Sequence, residues 1–187
     1  MSTLVIILRT VSLLAFAGPM LLIVSGRHRK PRTRASQAGG ARAPVVANIS
    51  AFALFFPSLL IFSGSSEAFM ALSGCLLALA GAALVLRSRA ELGPAWSFAP
   101  KADQETGLVT TGPYRLVRHP IYLGLVLLAM GEAIAFSSWP ALFIVLSGIV
   151  PTFAWRARTE EKLLSRTFGE RYEVYRQRTK MIIPHLF

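Results

Sequence analysis

Apolar and polar positions fall into five apolar runs separated by polar, mostly basic stretches. The first run, Leu4 to Val24, is long enough to cross a bilayer, which takes roughly 20 residues at about 1.5 Å each. Arg9 interrupts it near one end, from where a long side chain can snorkel to the interface. Ala15-Phe16-Ala17 also suggests a cleavage site. A signal peptide is disfavoured, because no basic residue precedes the run and the run continues past that point. The second run, Val45 to Phe62, contains Pro57, which membrane helices tolerate. Beyond a Ser63–Glu67 turn, the third run covers Ala68 to Leu86. Its Gly74, Ala78, Gly81 and Ala82 recur at helical spacing and predict close packing on a neighbour. A polar segment from Arg87 to Arg118 leads into the fourth run, Ile121 to Phe136, and the fifth, Ala141 to Trp155. Ser137-Ser138-Trp139-Pro140 between them reads as a tight helical hairpin turn. From Arg156 onward the chain is basic and amphipathic without another span. The pattern predicts an all-α membrane bundle of five transmembrane helices. Residues 1–86 hold three of them and a basic loop, 27–44, and residues 87–187 hold a connector, the hairpin and a C-terminal segment.

Composition changes the picture by excluding a soluble globular domain. Hydrophobic residues make up 53% and charged residues 16%, against about 25% charged in soluble domains. Lys and Arg number 20 against 9 Asp and Glu, a net charge of +11. In a soluble chain that balance would suggest nucleic acid. Here it records orientation, and no nucleic-acid partner is expected. Apart from Arg9, every Lys and Arg falls in segments 27–42, 87–118 and 156–180. Five alternating spans place all three on one face, which is then cytoplasmic together with the C-terminus, the N-terminus lying opposite. The single Cys75 allows no internal disulfide and no Cys-based zinc set. His28 and His185 lack partners at ligand spacing, so no metal is expected. Glu132, inside the fourth run, reads as a protonated or internally paired carboxyl too deep to reach the cytoplasmic face.

Candidate chemistry concentrates in two places. Leu108-Val109-Thr110-Thr111-Gly112-Pro113-Tyr114 leads to Arg118-His119-Pro120-Ile121-Tyr122-Leu123-Gly124. Gly112-Pro113 marks a turn, and Pro120 suits the first turn of the fourth helix. Arg118 and His119 therefore sit at a helix N-terminus on the cytoplasmic face, where unpaired backbone amides would favour an anionic group. The second constellation holds Arg156, Glu160-Glu161, Phe168-Gly169, Tyr172 and Tyr175. Arg156 and Glu160 are helical i,i+4 neighbours, and the two acids lie within two turns of the membrane boundary. Glu170 and Glu173 read as ordinary surface acids.

In these residues the chain resembles the isoprenylcysteine carboxyl methyltransferase family, whose wider kin include phospholipid N-methyltransferases. The matching pieces are Gly112-Pro113-Tyr114, Arg118-His119-Pro120 with Tyr122 and Gly124, Glu160-Glu161, Phe168-Gly169, Tyr172, Tyr175 and Ile183-Pro184, over about residues 92–187. The resemblance implies S-adenosylmethionine held at the cytoplasmic interface without a Rossmann domain. That agrees with the lack of a Gly-x-Gly-x-x-Gly loop. It further implies that Leu108, Val109, Gly112, Tyr114, His119 and Tyr122 cradle the cofactor. Arg118 and Glu161 would stand at the methyl-transfer end, with Glu160 as the alternate acid. Relatives often carry a basic residue just before the closing Ile-Pro, where this chain has Met181-Ile182, so no role is carried over to that position.

The expected function is methyl transfer to a lipophilic acceptor. A carboxylate acceptor needs an orienting cation, and an amine needs a group to take its proton; Arg118 and Glu161 leave both open. A membrane sterol or steroid reductase using NADPH, similar around Arg-His-Pro-x-Tyr, and a scaffold binding anionic lipid are the alternatives. Oligomeric state is not legible in the residues.

Overall fold

The structure is a computed structural model, and it describes residues 2–25, 42–65, 67–93 and 107–182. Residues 26–41, with His28 and most of the basic loop, residues 94–106 of the connector, and residues 183–187, with Ile183-Pro184 and His185, lie outside them. The described residues form α1 (Thr3–Ser25), α2 (Arg42–Ile61), α3 (Ala68–Leu92), a 3-10 turn (Gly112–Arg115), α4 (Pro120–Ala135), α5 (Trp139–Ile144), α6 (Val150–Phe168) and α7 (Glu170–Arg178). A π segment, Val145–Ile149, joins α5 to α6, so that Trp139–Phe168 runs as one 30-residue helix. That wide turn abuts Pro151, which has no amide for the carbonyl of Ser147 and crowds it. Nearly every backbone polar group inside a bilayer must be satisfied within its own segment, so long apolar runs become helices.

α1, α2, α3 and Trp139–Phe168 are long and apolar enough to cross a membrane. α4, at 16 residues, rises only about 24 Å, and is shielded rather than lipid-facing. It packs along α3 and touches α1 and α5, while α2 packs on α5, the π segment and α6. The architecture is the expected all-α multi-pass membrane bundle.

The α3–α4 seam follows from the small-residue stripe. Gly74 faces Gly131 and Ala135, and Gly81 faces Gly124 and Leu128. A Cβ on Gly81 would lie 2.6 Å from the Gly124 carbonyl oxygen and 2.7 Å from the Leu128 amide nitrogen. These are backbone atoms and cannot rotate aside. Gly81→Leu is therefore expected to lower the unfolding midpoint in detergent, by the equivalent of about 3 kcal/mol at the upper end of overpacking effects. Gly18→Ala is the control, because nothing lies within 4 Å of a Cβ there; its midpoint should hold or rise.

Two expectations need correction. Arg9 does not snorkel outward. It is buried, donating from Nε to Ala135 O at 3.0 Å and from Nη2 to Gly64 O at 2.7 Å, with its guanidinium carbon 4.8 Å from the Phe136 ring centroid. The last carbonyls of a helix lack intrahelical donors, and a cation there also complements the helix dipole. The hairpin turn is also shorter than Ser137–Pro140: Trp139 and Pro140 already belong to α5, whose N-cap Ser138 accepts from the Ala141 amide at 3.4 Å. Glu132, fully buried, accepts from Ser12 Oγ at 3.1 Å, an internal partner supplied by α1.

Candidate functional site

The site is built where the start of α4 meets the outer part of α6. Trp139–Phe168 spans 30 residues, about 45 Å, and so extends well past a hydrocarbon core of about 30 Å. Glu160 and Glu161 lie on that projecting end. Leu108 and Val109 are half-buried on the extended approach to the 3-10 turn. Gly112 opens the turn at φ +57°, a left-handed value that glycine adopts freely. Thr111 Oγ1 donates to the Glu91 carboxylate, which ties this loop to the end of α3. A Cβ on Gly112 would stand 2.8 Å from Glu91 Oε2. Glu91 was not singled out in the sequence, since a lone acid at a helix end looks like solvated surface.

The chain after α7 docks beside the residues that precede α4. Val117 and Lys180 form a parallel bridge, with the Arg118 amide donating to Lys180 O at 2.8 Å and the His119 amide to Met181 O at 3.0 Å. Most of the expected anion-binding amides are thus taken: those of Arg118 and His119 serve the C-terminal segment, and the Tyr122 amide donates to His119 O at 3.1 Å. Tyr175 fastens the same segment by donating to Tyr114 O at 2.7 Å.

Within this frame the charged side chains converge. Arg118 Nε donates to Glu161 Oε1 at 2.6 Å. Its Nη1 donates to Arg176 O at 3.1 Å and to Thr179 O. No hydrogen bond reaches its Nη2 among the described residues. His119, buried, stands between the two acids, with Nδ1 at 3.6 Å from Glu160 Oε2 and Nε2 at 3.5 Å from Glu161 Oε1. The Tyr122 hydroxyl donates to Glu160 Oε1, which also takes Arg156 Nε at 3.3 Å. One imidazole thus faces both Glu160 and Glu161.

The aromatic rings hold this geometry. Tyr122 stacks on His119 with centroids 5.3 Å apart and planes 2° from parallel, and on Phe153 at 4.9 Å and 21°. Phe153, a core-type residue by its sequence context, gave no functional signal there. Burial raises the Tyr114 phenol above its ordinary range, and the Tyr175 phenol and the Glu160 and Glu91 charges add to the shift. Burial raises Tyr172 as well, with Glu161 reinforcing it and Arg118 opposing. Tyr175 is pushed up to about 12 by burial, against the pull of Arg118. All three remain neutral donors at physiological pH. The His119 Nε2 and Tyr172 hydroxyl atoms are buried without a hydrogen bond. Most buried polar atoms have a partner, so two such atoms around one carboxylate mark a place where a ligand can supply one. Among the described residues, no three His, Cys, Asp or Glu side chains cluster as metal ligands.

The phospholipid methyltransferase family model matches residues 69–171, from α3 to the start of α7. The chain belongs to that family. Its relatives bear out the resemblance to isoprenylcysteine carboxyl methyltransferases. It is 34% identical to the protein-S-isoprenylcysteine O-methyltransferase of Schizosaccharomyces pombe, over 53% of this chain and 44% of that one. With the protein-S-isoprenylcysteine O-methyltransferase of Saccharomyces cerevisiae it shares 32% over 70% of this chain and 56% of that one. A nickel-cobalt-cadmium resistance protein, NccN of Alcaligenes xylosoxydans xylosoxydans, is 41% identical over 44% of this chain and 38% of its own length. The chain spans about half the length of the first two relatives. A solved eukaryotic intramembrane Ras methyltransferase, isoprenylcysteine carboxyl methyltransferase, shares the fold at TM-score 0.59 and 20% identity, over 94% of this chain and 68% of that one.

Proposed function

We propose that this chain is an integral membrane methyltransferase that takes its methyl group from S-adenosylmethionine and gives it to a carboxylate on a lipophilic acceptor. The observation that carries the reading is the joint grip of Glu160 and Glu161 on His119, Arg118 and Tyr122 at the membrane boundary. Residues 87–187 would form the catalytic part, on the cytoplasmic face.

The donor set suits the cofactor. Its amino-acid end carries an ammonium and a carboxylate; Glu160 suits the first, and the His119 Nε2 and Tyr172 hydroxyl, which make no hydrogen bond, suit the second. Leu108, Val109, Gly112 and Tyr114 would flank the nucleoside. When bound, the cofactor supplies an electrophilic methyl on a sulfonium. The protein's part is chiefly orientation, which can supply much of the acceleration in such a displacement.

The electrostatics favour a carboxylate acceptor. An ammonium must first lose a proton to a base, and both acids are already paired with cations, Glu161 with Arg118 and Glu160 with Arg156. A carboxylate acceptor needs no base, and Arg118 Nη2 is left to orient it. The stack of Tyr122 on His119 and Phe153 supports a part for Tyr122 in aligning His119 and Glu160 within the cofactor cradle.

Thermal shift on the full chain in detergent tests the reading. S-adenosylhomocysteine should raise the unfolding midpoint, and His119→Ala should weaken its binding by calorimetry while leaving the fold intact. Stabilisation by NADPH instead would favour the reductase class, and a response to neither would leave the scaffold reading.

A further inference from the structure

The inner face of α6 carries the acids; its outer face carries a separate charge pattern that the proposed chemistry does not use. Arg158, Lys162 and Arg166 are exposed and recur at four-residue spacing. Trp155, 48% exposed, lies three residues before the first of them. At about 100° per residue the four side chains fall within about 80° of arc, with Glu160 on the far side. The nearby ion pairs join Arg156 to Glu160 and Arg176 to Glu173. Arg158, Lys162 and Arg166 therefore have no carboxylate partner among the described residues.

Their level along the helix says what they meet. Trp139 and Trp155, both exposed, are separated by a rise of about 24 Å, close to the thickness of a hydrocarbon core. Exposed Trp residues settle at the membrane–water interface. From the level of Trp155 the helix rises about 4.5 Å to Arg158, about 10 Å to Lys162 and about 16 Å to Arg166, so Arg158 stands among the phosphates and the long side chains of Lys162 and Arg166 reach back toward them. The face continues a membrane helix, so its neighbour at that depth is lipid.

We propose that the outer face of α6, from Trp155 through Arg158, Lys162 and Arg166, is a binding ridge for anionic phospholipid headgroups in the leaflet that its C-terminal end meets. Because the same helix carries Glu160 on its opposite side and Glu161 on its flank, lipid bound to this ridge also steadies the helix that holds the acids. The inference does not depend on the methyl-transfer reading.

Quenching by brominated lipid tests it on the full chain in nanodiscs, with Trp96 and Trp139 replaced by Phe so that Trp155 reports alone. One set of discs contains brominated phosphatidylglycerol as a minor component of phosphatidylcholine; the other contains the same fraction of brominated phosphatidylcholine. Trp155 should be quenched several-fold more by the anionic lipid. Arg158→Gln with Lys162→Gln and Arg166→Gln should abolish that preference, because each cation near an anionic surface contributes about fivefold to affinity and three contribute on the order of 10²-fold. A parallel chain with Trp139 as reporter should show no preference. Removing two charges on α7, Arg171→Gln with Arg178→Gln, should leave most of the Trp155 preference in place. Equal quenching by the two lipids, full preference in the triple variant, or equal loss in the α7 variant would each overturn the ridge. So would loss of the preference on adding millimolar inorganic phosphate at constant ionic strength, since a free anion would then be the better ligand.

Discussion

Glu161→Gln is expected to lower turnover by roughly 10²-fold or more, the loss typical of a positioned electrostatic or acid–base group, while S-adenosylhomocysteine affinity changes much less. Gln keeps the volume of the side chain and still accepts the Arg118 Nε hydrogen bond. It removes the negative charge that Arg118 meets at 2.6 Å and His119 at 3.5 Å. The Arg118 guanidinium then lacks its counter-charge while Nη1 stays tied to the Arg176 and Thr179 carbonyls. Its free edge is no longer held where the acceptor would be met. Glu160→Gln is the comparison, because Glu160 is held by the Tyr122 hydroxyl and Arg156. Its loss should loosen the Tyr122–His119 stack and therefore reach cofactor affinity as well as rate. Initial rates at saturating donor, paired with calorimetry, separate the two. If Glu161→Gln abolishes cofactor binding to the same degree as turnover, Glu161 belongs to the cofactor pocket and its separate role at the acceptor fails.

The fold was legible where local chemistry and membrane constraint agree. Long apolar runs could only be helices, and the Gly74, Ala78, Gly81, Ala82 stripe declared a close contact whose partner the structure identifies as α4. The depth of α4 was not legible, because a 16-residue apolar run looks the same whether lipid or protein surrounds it. Arg9 was misread for a related reason. Sequence places a cation near a helix end, but only tertiary structure brings the α4 carbonyls within reach of it.

The site divides along the same line. Arg118, His119, Tyr122, Glu160 and Glu161 stood out by their clustering at the membrane boundary and by the family resemblance, and the structure brings them together. Phe153 and Glu91 did not stand out, since a phenylalanine in a span and an acid at a helix end need no special explanation. The pairing of Val117 with Lys180 was also hidden. Backbone bridging between segments some sixty residues apart leaves no periodic trace, yet it is what takes the Arg118 and His119 amides just before α4.

That bridging shapes the expected outcome at Arg118. Its guanidinium makes two kinds of contact, Nε to Glu161 and Nη1 to the carbonyls of Arg176 and Thr179, and leaves Nη2 free among the described residues. Lysine has one nitrogen on a flexible stem and cannot reproduce a planar fork. Arg118→Lys should keep a pairing with Glu161 but release the α7 carbonyls and leave nothing at the Nη2 position. Turnover should therefore fall by about 10²-fold with only partial rescue relative to Arg118→Ala. Arg118→Ala should lose more, because it also leaves Glu161 without its closest cation in a half-buried setting, where breaking such a pair costs about 3 kcal/mol or more. A thermal melt in detergent separates the structural component from the catalytic one. Arg118→Ala should melt well below wild type, Arg118→Lys only slightly below, while both turn over slowly. A lysine variant that restores wild-type turnover would remove any need for the fork and leave Arg118 as a simple counter-charge to Glu161. A lysine variant that melts as low as the alanine variant would make the carbonyl clasp on α7 the dominant role, with the acceptor oriented by another group.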